Sequence, residues 1–161
     1  MKKKIVGILL AMLLVFAFAG CEKETVEEKA KISIDCSMVD PMYGGDYGND
    51  LTAVAYLKAN FNEEGYLVDA EYTTVETSAT DEIYKERKAE FTSSEGKTTD
   101  DNATFDDAKR TVTITMTDKP DYSLFSEEEK KNLYVVNHVK SAEERGYKCE
   151  IKGATRESLG L

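Results

Sequence analysis

Tryptophan is absent from this chain of 161 residues, histidine occurs once and cysteine three times. None of the local patterns that mark serine, zinc, dithiol or phosphate-loop chemistry occurs: there is no GxSxG, HExxH or CxxC, and no glycine-rich phosphate loop. The lone His138 falls in a predicted helix beside Val139, and zinc would need partners that the sequence does not identify. It reads as a residue at the core boundary. Paired carboxylates carry no weight as a glycosidase signal, because 31 acidic side chains offer such pairs anywhere. No catalytic residue and no cofactor is indicated, and the chain does not read as an enzyme. Basic charge is also scarce. Met1 to Gly20 holds three lysines and no acid, so 18 bases face 31 acids in the remainder, a net charge of −13. Such a surface repels phosphate backbones, which argues against nucleic acid as a partner, and it repels anionic headgroups as well.

The one long apolar run lies at the start. Lys2, Lys3 and Lys4 precede 14 mostly apolar residues, Ile5 to Phe18, and Ala19, Gly20 and Cys21 follow directly. This is short of the roughly 20 residues that a transmembrane helix needs. A basic start, a brief apolar core and small residues form the layout of an export signal. Ala19 and Gly20 let a peptidase close on extended backbone, and the Cys21 thiol can take a diacylglycerol. The arrangement resembles the lipobox of bacterial lipoproteins, with Phe18 where that family most often has leucine. The resemblance implies a signal peptide over 1–20, a lipid anchor and charged tether over 21–31, and a domain over 32–161 held on the extracytoplasmic face of the cell membrane. An ordinary signal peptide with Cys21 incidental, and an uncleaved anchor, are the alternatives.

Beyond the tether, strict alternation of Ile32, Ile34, Cys36 and Met38 against Ser33, Asp35 and Ser37 predicts a half-buried strand. Asp40 to Asp50 carries one proline and three glycines and predicts a loop. Its Asp40, Asp46, Asn49 and Asp50 are hard oxygen donors, but their spacing departs from the EF-hand pattern, and no metal site is assigned. Leu51 to Phe61 and Tyr66 to Glu76 predict a hairpin about the turn Asn62-Glu63-Glu64-Gly65, with Tyr66, Val68, Ala70 and Tyr72 sharing the buried face of the second strand. Thr80-Asp81 caps a helix to about Ser93. Ser93 to Asp107 is a polar loop with Phe105 as its anchor, and its aspartates 100, 101, 106 and 107 show no ligand spacing. Arg110 to Thr117 alternates Val112, Ile114 and Met116 against four threonines and predicts a central strand. Ser126 with three glutamates opens a helix expected to run to Arg145, with Leu133, Val136, Val139 and Ala142 as its buried stripe, before a last strand from Tyr147 to Ile151. The sum is an α+β domain: an antiparallel sheet of about five strands with two helices packed on one face.

With Cys21 given to lipid, Cys36 and Cys149 remain, each on the apolar face of its strand. In an exported chain such a pair predicts a disulfide, two buried free thiols being the alternative. The order of elements, closing on Gly146-Tyr147-Lys148-Cys149, resembles the YehR-like small bacterial lipoproteins, with the loop Asp40 to Asp50 departing most from that pattern. The resemblance implies an α+β domain with no assigned catalytic site. Together these readings point to a non-catalytic binding or accessory module, partnered by the membrane through Cys21 and by an envelope protein or a small ligand. A small-solute receptor for a transporter and a cell-envelope hydrolase are the rival functions.

Overall fold

Period-two alternation, the dominant signal after residue 31, becomes sheet. The computed structural model describes residues 31–40, 45–92 and 102–161, and in them six strands pair antiparallel. These are β1 (Ile32–Asp40), β2 (Leu51–Phe61), β3 (Leu67–Ser78), β4 (Ala103–Asp106), β5 (Thr111–Asp118) and β6 (Lys148–Lys152). Their order across the sheet is β4-β5-β3-β2-β1-β6. The strand beyond the expected five or so is β4, cut from the end of the predicted polar loop. Four residues are too few to show a period, yet Ala103 and Phe105 pair with Ile114 and Val112. The threonine-alternating β5 is second from an edge, not central, because alternation reports which face is wet and not how many neighbours a strand has.

The β2–β3 hairpin turns where glycine and asparagine predict. Asn62 Oδ1 accepts from the backbone N–H groups of Glu64 and Tyr66, and Gly65 sits at φ +88°. A Cβ on Gly65 would lie 2.5 Å from the Tyr134 ring, so the position excludes a side chain twice over. Just past this turn the register shifts: Asn60 faces Asp69 but Phe61 faces Leu67. The bulge puts Leu67 with Ala70 in the core, in place of the expected Tyr66 and Val68.

Among the described residues three α-helices accompany the sheet: α1 (Asp81–Glu90), α2 (Glu127–Asn132) and α3 (Val135–Glu144). Thr80 caps α1, and Ser126 with Glu129 forms a full capping box on α2. The helix expected to run unbroken to Arg145 breaks at Leu133-Tyr134 because tertiary hydrogen bonds claim its backbone. The Leu133 carbonyl accepts from Leu67 N–H, and Val135 N–H donates to the Gly65 carbonyl. Tyr134 turns extended, at ψ 141°, to make the join.

Val135, Val139 and Ala142 of α3 pack on Ile34, Cys36, Leu57, Ala59, Phe61, Leu67 and Ala70. A smaller cluster joins Tyr84 of α1 to Val112 and Ile114, with Phe91 and Phe105 at its margin. Glu76, buried beneath α1, pairs with Ala53, which is in phase with Leu57 and Ala59 along β2. Both clusters therefore lie on the same face of the sheet. Gly153, at φ +81°, crosses so close to the start of β1 that a Cβ there would sit 2.1 Å from the Lys31 carbonyl oxygen. The segment beyond it brings Leu159 and Leu161 onto the larger cluster.

Candidate functional site

The opposite face of the sheet carries the short and polar members of each strand. Register aligns them in rows across the strands. One row runs Thr115, Thr73, Tyr56, Ser37, Lys148, and its neighbour runs Thr117, Glu71, Lys58, Asp35, Glu150. A third, Thr113, Val75, Val54 and Val39, is mainly apolar. None of these side chains is buried, and Tyr56 and Val39 are 41% and 68% exposed. Such a face is wet on one side of an antiparallel sheet because β-branched threonine keeps strand propensity while tolerating water.

Where β2, β1 and β6 meet, this face forms a shallow cleft of about 440 Å³ lined by Asp35, Ser37, Tyr56, Lys58, Lys148 and Glu150. Its floor is the backbone of Cys36 and Cys149. Asp35 and Glu150 are adjacent carboxylates across β1 and β6, with Lys58 on the far side of Asp35, and the Lys152 ammonium donates to Asp35 at 2.5 Å. Thr73 and Thr115 hydroxyls meet at 3.3 Å farther along the first row. The cleft offers donors and acceptors of both signs, a phenol face and a hydroxyl. Ser37 has no imidazole beside it, since the one histidine lies elsewhere; its cross-strand neighbours are Tyr56 and Lys148.

Cys36 and Cys149 are direct cross-strand partners on β1 and β6, with their sulfurs 2.11 Å apart. The pairing that the sequence analysis anticipates is thus present at disulfide distance. Cys21, the predicted lipidation site, lies outside the described residues. His138 lies on α3 edge-to-face with Phe61, ring centroids 5.5 Å apart, and its Nε2 is shielded from solvent with no hydrogen-bond partner. Burial, and secondarily the positive charge of Arg145, pushes its pKa down to about 4, so the ring is neutral.

The aspartates of the two loops separate. Asp106 accepts from Lys109, and Asp107 accepts from the Tyr84 hydroxyl at 2.5 Å and the Lys88 ammonium at 2.6 Å. The Lys88 hydrogen bond, followed by that from Tyr84, lowers the Asp107 pKa, while burial, followed by the bond to Asp107, raises that of Tyr84. Among the described residues no three histidine, cysteine or acidic side chains are placed to hold a metal ion. Asp100 and Asp101 lie outside those residues.

Two features escape sequence reasoning. One is the buried pair Glu76–Arg87, two hydrogen bonds of 2.8 Å each, with Arg87 also donating to Glu90 at 2.5 Å. Glu76 sits at a position whose alternation is apolar, and that phase is the signal that could have found it. The other is the placing of Lys148 and Glu150 beside Ser37 and Asp35, which follows once the two cysteines are taken as strand neighbours. Comparison with protein-family models, with curated proteins and with solved structures gives no match in any of the three.

Proposed function

We propose that the protein is a membrane-anchored extracytoplasmic lipoprotein of the YehR-like kind, whose domain is a non-catalytic binding or accessory module. The observation that carries the reading is the Cys36–Cys149 pair. A bonded cysteine pair between neighbouring strands suits a chain that folds in an oxidising compartment, where an export signal would deliver it. The ligand surface in this reading is the open face around Tyr56 and Lys58. A small-solute receptor for a transporter is the second reading, and it would use the same shallow depression where β2, β1 and β6 meet.

The test begins with the full chain expressed in a bacterium. Wild type is expected to carry lipid by mass spectrometry and to fractionate with membranes, and Cys21→Ala to lose both. Membrane retention of the alanine variant would remove the anchor from the proposal. Non-reducing peptide mapping is expected to recover Cys36 linked to Cys149. A photo-crosslinking residue in place of Tyr56 is expected to trap a partner in intact cells, and one in place of Lys85 on the outer side of α1 is not. Equal trapping at both positions would dismiss the open face.

A further inference from the structure

The end of the sheet at which the tether joins carries an aromatic rim that the binding role does not use. Lys31 donates its N–H to the Phe61 carbonyl and its ammonium pairs with Glu63, so the chain enters beside the β2–β3 turn. On that same turn Tyr66 forms an isolated bridge with Tyr134, their rings edge-to-face at 5.6 Å, and its ring meets Tyr122 at 6.1 Å. Tyr122 donates to the Leu67 carbonyl at 2.7 Å, which fixes the short 3-10 turn Tyr122–Leu124 against the start of β3. At the end of that turn Leu124 is 67% exposed. The protruding leucine thus closes a turn whose Tyr122 is joined edge-to-face, through Tyr66, to Tyr134.

We propose that this rim rests on the lipid bilayer and sets the orientation of the domain; the inference rests on the lipid anchorage proposed above. Tyrosine suits the headgroup boundary because an apolar ring carries a hydroxyl that must find a partner, as that of Tyr122 does in the Leu67 carbonyl, and a leucine beside it can enter the acyl layer. The position of the rim selects the occupant. Only ten residues separate Cys21 from Ile32. Fully extended they reach about 35 Å, so this end of the domain is confined to a thin layer above the surface. Within that layer a contact too weak to bind a free domain is made at high local concentration. Charge adds nothing to the attraction, because just beyond the leucine α2 sets Glu127, Glu128 and Glu129 against Lys130 and Lys131, a net charge of −1. Neutral headgroups are therefore the preferred surface, and anionic lipid weakens the contact.

Hydrogen exchange on the lipidated full-length protein in phosphatidylcholine vesicles, against Cys21→Ala in solution, tests this. Amides over 64–66 and 122–126 are expected to exchange several-fold more slowly on the vesicle, while those over 52–56, toward the other end of the sheet, are unchanged. Leu124→Asp, at an exposed position, is expected to abolish the protection while the protein stays bound through its lipid. Raising the fraction of phosphatidylglycerol should reduce the protection. Lipidated protein without protection over 122–126, or protection that Leu124→Asp leaves intact, overturns the contact and leaves the anchor standing. Absence of lipid on Cys21 overturns both.

Discussion

At the scale of single residues, burial and chemistry oppose each other at two places. Glu76 is charged where strand alternation calls for an apolar side chain, Arg87 is charged on the buried face of α1, and they are tolerated because each completes the other's hydrogen bonds in two parallel contacts. His138 has no such partner at Nε2 and remains neutral instead. Its pKa of about 4 lies below the 6.5 of an unfolded histidine, so between those values the unfolded chain binds the proton first. The stability it contributes is complete above pH 6.5 and is lost as pH falls toward 4, by about 3 kcal/mol at most. Chemical denaturation of wild type and His138→Phe over pH 4 to 7 checks this, the variant being expected to show a shallower slope, the remainder belonging to the carboxylates. The sequence places His138 at a core boundary, and the structure seats it there against Phe61, where burial keeps the ring neutral.

At the scale of elements, the strands were legible and the joints between them were not. β1, β2 and β5 follow their alternation closely, since a face that must be dry leaves a period of two in the residues. The α2–α3 break has no proline or glycine to announce it; it exists because β3 needs the Leu133 carbonyl, a demand arising some 66 residues earlier in the chain. β4 is equally silent, its pairing supplied by the strand that follows. The four residues joining these two strands, 107–110, place Arg110 at φ 55°, left-handed backbone that costs a non-glycine residue about 1 kcal/mol or more. Its exposed ion pair with Asp81 offsets little of that. Glycine relieves that strain but loosens the unfolded chain, so Arg110→Gly is expected to raise stability by no more than about 0.5 kcal/mol, read as a slightly higher denaturation midpoint at unchanged slope.

At the scale of the whole molecule, the candidate site is only half readable from sequence. The outward residues of β1 and β2 are evident, but β6 joins β1 after more than a hundred intervening residues, and only the cysteines hint at that neighbour. Their bond spans a sequence separation of 113 residues, and on the chain-entropy model it contributes about 4–5 kcal/mol. Urea unfolding with and without reductant should show a loss of that order, leaving the reduced domain marginal beside a typical total of 5–15 kcal/mol. The same bond has a mechanical meaning. A load arriving through Lys31 pulls first on the end of β1 and can peel Ile32 to Asp35 away from their neighbours, after which Cys36 passes the tension to β6. The slack released is then about 14 Å of chain, and the domain yields by four residues and holds.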